Sequence, residues 1–372
     1  MSRAVVVDEP GRWRLARSEP PEPGPGEARV RVAAAGLCGS DRELFDGARP
    51  PGFAAYPVVP GHEWSGTVEA VGAGADPGLV GARVVGEGYR GCLVCARCRE
   101  GAPNLCEAGY DETGFTRPGA FADHLLVPAR LLHVLSPGAD LRAAALLEPA
   151  AVIAAAVRQV AARPGEDVAV VGAGTLGMLA LQFLAASSPA RLVAVEPRAG
   201  RAAAALAAGA TEVRSPGDAG DGALAGAFDV VLETAGAAGT ARTAVELARR
   251  GGRVAITGLP GDPADAVPTA LLVTRTVSVA TVCGAGPADW AYTVRAFSTG
   301  VLRPADLVTH ELPLADFAAA LKLSAAPEAG KVLLCPGLPG RPDPPEGADL
   351  FEDRDLLERP EPTSGRTDGP VA

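Results

Sequence analysis

Aromatic side chains are scarce in this 372-residue sequence, at 4% of the composition. That scarcity argues against a surface built for base stacking or for a carbohydrate platform. A surplus of positive charge is missing too: 34 lysines and arginines face 44 acidic residues, for a net charge of −10. Such a chain suits neither nucleic acid nor an anionic membrane surface. Residues 1–27 lack the apolar core that a signal peptide needs. There is no solenoid-type repeat, and the 46 glycines and 34 prolines follow no collagen period, so they mark turns. One long stretch without charge, Val168–Ala190, carries Gly172, Gly174 and Gly177 at the spacing of a nucleotide-binding turn, between Asp167 and Arg191. It reads as a buried strand and helix, not a membrane span.

What is present is enough to fold. Hydrophobic residues make up 48% of the chain, and the length suits two domains of roughly 150 residues each. Seven cysteines, four of them between positions 92 and 106, read as thiolate metal ligands in a reducing cytoplasm rather than as disulfides.

Residues 1–149 carry short β-branched runs broken by Gly and Pro, among them Ala4–Val7, Val30–Val32, Gly66–Val71 and Arg83–Val85. They predict a mostly β domain. Over 150–284 strand-length apolar runs alternate with Ala-rich helical ones: Val168–Val171, Met178–Ala186, Leu192–Glu196, Arg201–Ala208, Asp229–Glu233, Ala241–Arg249 and Arg253–Gly258. That alternation predicts a doubly wound parallel sheet, an α/β domain. Over 285–335 a helix (Trp290–Phe297) and a strand (Lys331–Leu334) are too short for a domain and are expected to return to the first one. Residues 336–372 are Pro-rich, and their nine acidic residues against four arginines carry half of the net charge. They read as a disordered appendage, with partner binding as the alternative.

Val168–Gly177 runs from a strand through Gly172-Ala173-Gly174-Thr175-Leu176-Gly177 into a helix. The first glycine permits the turn, the second lets backbone approach a pyrophosphate, and the third lets helix pack on strand. The helix N-terminus offers free N–H groups to the phosphates. The next strand ends in Glu196, about twenty residues on, where a carboxylate can accept from both ribose hydroxyls. Glu196 favours NAD over NADP, while Arg198 and Arg201 lie close enough to blur that preference.

Cys92, Cys95, Cys98 and Cys106 stand as C-x2-C-x2-C-x7-C. Four thiolates so close can surround Zn²⁺ with no open position, a structural site, with an iron–sulfur cluster as the alternative. A second constellation is dispersed: Cys38 in Cys38-Gly39-Ser40-Asp41, then Gly61-His62-Glu63, then Glu148-Pro149. Thiolate, imidazole and carboxylate all ligate zinc, and three such ligands with an exchangeable position suit a catalytic site.

These segments, in this order with the four-cysteine lobe and the glycine turn, resemble the zinc-dependent medium-chain dehydrogenase/reductase superfamily over residues 1–335. The resemblance implies a GroES-like catalytic domain with a Rossmann domain inserted near its end, the active site in the cleft between them, NAD(P) as cofactor, and two zinc ions per chain, one catalytic and one in the four-cysteine lobe. Cys38 and His62 would be ligands of the catalytic zinc, with Glu63 and Glu148 sharing or exchanging the remaining protein position. Asp41 would orient His62, and Ser40 would hydrogen-bond the substrate hydroxyl and pass its proton outward. Many relatives complete that relay with a histidine where this chain has Glu43; either Glu43 relays, or it is a solvated helix-face carboxylate and the proton leaves through water. Cys283 would lie beside the nicotinamide, and Cys335 reads as a packed thiol. His124 reads as a strand-surface residue before a pocket one, and His133 and His310 receive no role.

Subgroup features divide. Cys38–Glu43 is similar to sugar dehydrogenases, Pro60–Val68 with Gly114–Arg117 to aminocyclitol dehydrogenases, and Gly86-Glu87-Gly88 to threonine dehydrogenases. A polar secondary alcohol (polyol, sugar or aminocyclitol) is therefore expected as substrate, in a homodimer or homotetramer. A zinc-free quinone or enoyl reductase on the same fold is one rival reading. A non-catalytic nucleotide-binding protein that acts through its tail is another.

Overall fold

The computed structural model describes residues 1–339 apart from 221, 223 and 261–264. The expected tail, 336–372, therefore falls outside the described residues from 340 onward.

The chain opens with a hairpin, β1 (Ser2–Glu9) and β2 (Arg12–Ser18). It continues through β3 (Glu27–Gly36), α1 (Gly39–Asp46), β4 (Glu63–Val71), β5 (Arg83–Gly86), α2 (Ala96–Arg99), β6 (His124–Pro128), β7 (Leu132–Val134) and α3 (Leu141–Ala144). Val30 and Val32 of β3 point to one side and are buried with Val84, Phe121, Val127 and Phe317, the period-2 burial of a strand covered on that face. β3 is the hub: it pairs antiparallel with β4 and with β6.

Next, α4 (Leu147–Val160) is almost wholly buried and runs unbroken through the expected boundary at 149/150. It leads into β8 (Asp167–Val171), α5 (Thr175–Ala185), β9 (Arg191–Val195), α6 (Ala202–Ala207), β10 (Glu212–Arg214), α7 (Pro216–Gly220), β11 (Phe228–Glu233), α8 (Thr240–Leu247), β12 (Ala248–Ile256), α9 (Thr269–Arg275) and β13 (Ser278–Thr281). The six strands are parallel in the order β10-β9-β8-β11-β12-β13, the doubly wound dinucleotide order with its reversal between β8 and β11. Val168 and Val170 pack into one apolar cluster and Ala169 and Val171 into another, so β8 is covered on both faces. The uncharged 168–190 stretch is thus β8, its turn and α5. Among the described residues no helix is long and apolar enough to cross a membrane.

The helix read as Ala241–Arg249 ends at Leu247, because Ala248 already pairs with Phe228 at the start of a strand that begins earlier than Arg253. After β13 come α10 (Pro287–Ser298), β14 (Val308–Leu312), α11 (Phe317–Ser324) and β15 (Lys331–Leu334). β15 pairs antiparallel with β3, and β14 pairs with β15. The last described strands therefore complete the sheet that β3 begins.

Candidate active site

β3 ends at Gly36, and the chain turns through Leu37 into α1 with Cys38 at its N-cap. The Cys38 N–H donates to Asp41 Oδ2 at 2.9 Å, which ties down that first turn. Glu63, the first residue of β4, lies opposite Gly36, so the ladder brings His62 and Glu63 up beside Cys38. Donor atoms of these three residues lie within 4.8 Å of one another. Donors around a tetrahedral zinc stand roughly 3.3–3.8 Å apart, so a contraction of at most about 1.5 Å closes them on one ion. His62 Nδ1 and Asp41 Oδ1 are 3.5 Å apart, both buried without another partner among the described residues. A metal ligand's second nitrogen facing a carboxylate is the arrangement that orients an imidazole. The donor set fits zinc. Burial opposes charge on His62, but Asp41 and Cys38 outweigh it and raise its pKa well above the usual value.

Glu148 stands in the first turn of α4, outside the compact triplet. Burial pushes its carboxyl up to about 8; the His62 charge opposes the rise, while Glu63 and Glu112 add to it. Ser40 sits in the first turn of α1, partly exposed. Glu43, further along that helix, is 45% exposed and faces Arg49 at 4.0 Å.

Several residues here escaped the sequence reading. Lys331, one of only two lysines among the chain's 34 basic residues, is 4% exposed and ion-pairs Glu63. Phe115 lies tilted against His62 at 4.7 Å between ring centroids, and the Arg49 guanidinium lies over Phe115 at 3.8 Å. Arg49 also donates to the Tyr110 hydroxyl at 3.0 Å, and that hydroxyl donates to the buried Glu112. Burial, with Glu112 alongside, raises the pKa of both Tyr110 and Tyr89. Gly284 lies flat against the Tyr89 ring, where a Cβ would collide, and the Cys283 carbonyl accepts from Asn104 at 2.8 Å. The loop after β13 thus rests on this aromatic wall. His124 is held between Ser2 and Glu69, and His133 stacks on Trp290 and meets Glu87.

Cys92, Cys95, Cys98 and Cys106 also converge within 4.8 Å. The N–H groups of Cys95, Cys98 and Cys92 point at the sulfurs of Cys92, Cys95 and Cys106 at 3.3–3.4 Å. Cys92 and Cys98 Sγ are 4.0 Å apart, near the separation of about 3.8 Å set by zinc–sulfur bonds of about 2.3 Å. N–H groups of Val94 and Cys95 draw the Cys92 thiol down to about 6. The lobe fits a closed thiolate site.

At the nucleotide turn each glycine has its own reason. Gly172 has φ +94° and abuts Ala235, and a Cβ on Gly177 would strike the Gly172 carbonyl. Gly174 has nothing within 4 Å of where a Cβ would sit, so protein packing does not require it, and the open space leaves its backbone approachable by a ligand. Thr175 and Leu176 open α5, with N–H groups that have no partner within the helix. Glu196, 4% exposed, accepts from Ala173 N at 2.7 Å. Arg198 donates to it from Nε at 2.6 Å and from Nη2 at 3.0 Å. Arg201 instead donates to the carbonyls of Ala173, Pro327 and Ala329.

Comparison with known proteins agrees with this geometry. Residues 24–137 match the alcohol dehydrogenase GroES-like domain and residues 175–299 the zinc-binding dehydrogenase family. The chain is 31% identical to a sorbitol dehydrogenase of Halalkalibacterium halodurans, across 90% of this chain and 99% of that one. It is 32% identical to an L-threonine 3-dehydrogenase of Streptomyces coelicolor, across 89% and 98%. A Sinorhizobium meliloti chain solved bound to NADP superposes with a TM-score of 0.84 at 28% identity, covering 90% of this chain and 99% of that one. With a six-stranded parallel sheet and a seven-stranded sheet in this topology, a glycine turn at the reversal and two clusters of candidate ligands, the chain belongs to the zinc-dependent medium-chain dehydrogenase/reductase superfamily, the alcohol dehydrogenases.

Proposed function

We propose that this protein oxidises a polar secondary alcohol (a polyol, sugar or aminocyclitol) with NAD(P). The observation that carries the reading is the convergence of Cys38, His62 and Glu63 within 4.8 Å. Cys38, His62 and Glu63 would hold the catalytic zinc, with Glu148 in reserve, and the four cysteines a structural one. A zinc ion in such a site supplies the Lewis acidity that lowers the pKa of a hydroxyl, and a nicotinamide supplies the hydride acceptor.

The protein's own groups do the rest. Asp41 holds the His62 ring, and the Ser40 hydroxyl takes the substrate proton and hands it outward, where Glu43 is 45% exposed beside Arg49. Phe115 and the Arg49–Tyr110–Glu112 chain wall the pocket with polar groups suited to a polyhydroxylated or aminated substrate. Glu196 takes the ribose hydroxyls, which favours NAD.

We also propose a homo-oligomer in a reducing compartment. β13 is an edge strand with Val279 exposed, and all seven cysteines are free thiols. The test is a panel of polyols, sugars, threonine and aminocyclitols with NAD and NADP, read as absorbance of the reduced nicotinamide, alongside zinc content and mass in solution. Turnover of secondary alcohols with two zinc ions per chain is expected. Silence across the panel with one zinc would instead favour the zinc-free reductase.

A further inference from the structure

Arg201 stands where two parts of the chain meet. It leads from the turn after β9 into α6, five residues past Glu196, yet its guanidinium gives its hydrogen bonds to backbone carbonyls. Nη1 donates to Ala173 O, inside the glycine turn, at 3.1 Å. Nη2 donates to Pro327 O at 3.1 Å and to Ala329 O at 2.7 Å. Those two carbonyls belong to the other domain, for Ala329 is buried with Val30, Phe317 and Val332. Arg198 adds a longer bond to Pro327 O, at 3.5 Å. Two residues after Ala329 the chain enters β15, where the Val332 carbonyl accepts from Leu37 N at 2.9 Å, beside Cys38. One side chain thus joins the nucleotide turn to the strand that supports the Cys38 turn.

We infer that Arg201 is an interdomain clasp, a positioning residue that fixes the glycine turn against the catalytic domain and sets the span between a bound nicotinamide and the Cys38 site. The inference rests on the reading that a dinucleotide occupies that turn. A guanidinium suits the task, because its planar fork donates in two directions at once from a fixed geometry. A residue that served the nucleotide directly would act differently: its loss would weaken every ligand that carries the adenosine half.

The test titrates ADP and NAD by calorimetry into full-length wild type and Arg201→Met, with hydrogen exchange recorded on both proteins. ADP engages only the half of the crevice built on β8 and β9, so its affinity should stay within about twofold. NAD must also reach across to the catalytic domain, and its affinity should fall about tenfold, the weight of a charge-assisted hydrogen bond. Amides of β15 and of Leu37 should exchange at least about tenfold faster, while those of β8 keep their protection. If Arg201→Met fails to fold, Arg201→Gln, too short to span both sides, carries the same expectations. Equal losses for ADP and NAD overturn the inference and make Arg201 a nucleotide ligand. Unchanged NAD affinity overturns it too, as does unchanged exchange in β15. A wild type that binds neither ADP nor NAD overturns the dinucleotide reading on which the clasp depends.

Discussion

Replacing Arg198 by alanine probes how this protein chooses between two nucleotides. Arg198 forms two charge-assisted hydrogen bonds to Glu196, at 2.6 and 3.0 Å, and its side chain is 39% exposed. Glu196 keeps two backbone donors without it, Ala173 N and Arg198 N, so the carboxylate stays in place. Its acceptor positions then open to the ribose diol, while a 2′-phosphate loses a guanidinium that can leave Glu196 to meet it. Arg201 is no substitute, since three backbone carbonyls occupy it. A charge-assisted hydrogen bond contributes about 1.5–3 kcal/mol, and partial exposure places this one at the lower end. Affinity for NADP should fall by about tenfold, while affinity for NAD stays level or rises a few-fold. Calorimetric titration of each nucleotide into wild type and Arg198→Ala measures the ratio, and the loss for NADP should shrink at high salt. An unchanged ratio would refute the placement of the ribose at Glu196.

Gly177→Ala sets a Cβ against the Gly172 carbonyl; overpacking of this kind costs about 1–3 kcal/mol, so melting temperature and nucleotide affinity should fall together in thermal and binding assays. With the proposed structural zinc in the four-cysteine lobe, Cys106→Ser should reduce zinc by one equivalent by metal analysis and open residues 91–109 to limited proteolysis. Asp123 accepts from Arg3 N, Nε and Nη2; burial opposes its charge, but the Arg3 contacts win and lower its pKa. The stability from a depressed carboxylate is present above its unfolded pKa of about 3.9 and is lost as pH falls through the lower folded value. Asp123→Asn should therefore cost about 1–3 kcal/mol at neutral pH, a gap that closes below about pH 4 when both proteins are melted at each pH.

The strands and helices of 150–284 were legible because their signals are local. An alternation such as Leu192–Glu196 followed by Arg201–Ala208 needs no knowledge of what packs on it, although the end of α8 was read two residues long. The cysteine lobe was legible for the same reason, its ligands lying within fifteen residues of one another. Cys38, His62, Glu63 and Glu148 were found by resemblance, since separations of this length carry no geometry. Lys331 left one faint trace, its rarity in an arginine-rich chain.

The amino-acid order by itself determined the parallel sheet, the glycine turn that ends β8 and the two sets of metal-ligating residue types, because periodicity and short spacing act within a few residues. Only the tertiary structure decided which carboxylate joins Cys38 and His62, that Lys331 grips it from 268 positions away in sequence, and that Arg198 rather than Arg201 covers Glu196. Those choices depend on strand register: Gly36 is paired with Glu63 on one side and with Leu333 on the other, and a shift of one residue would turn each side chain to the opposite face.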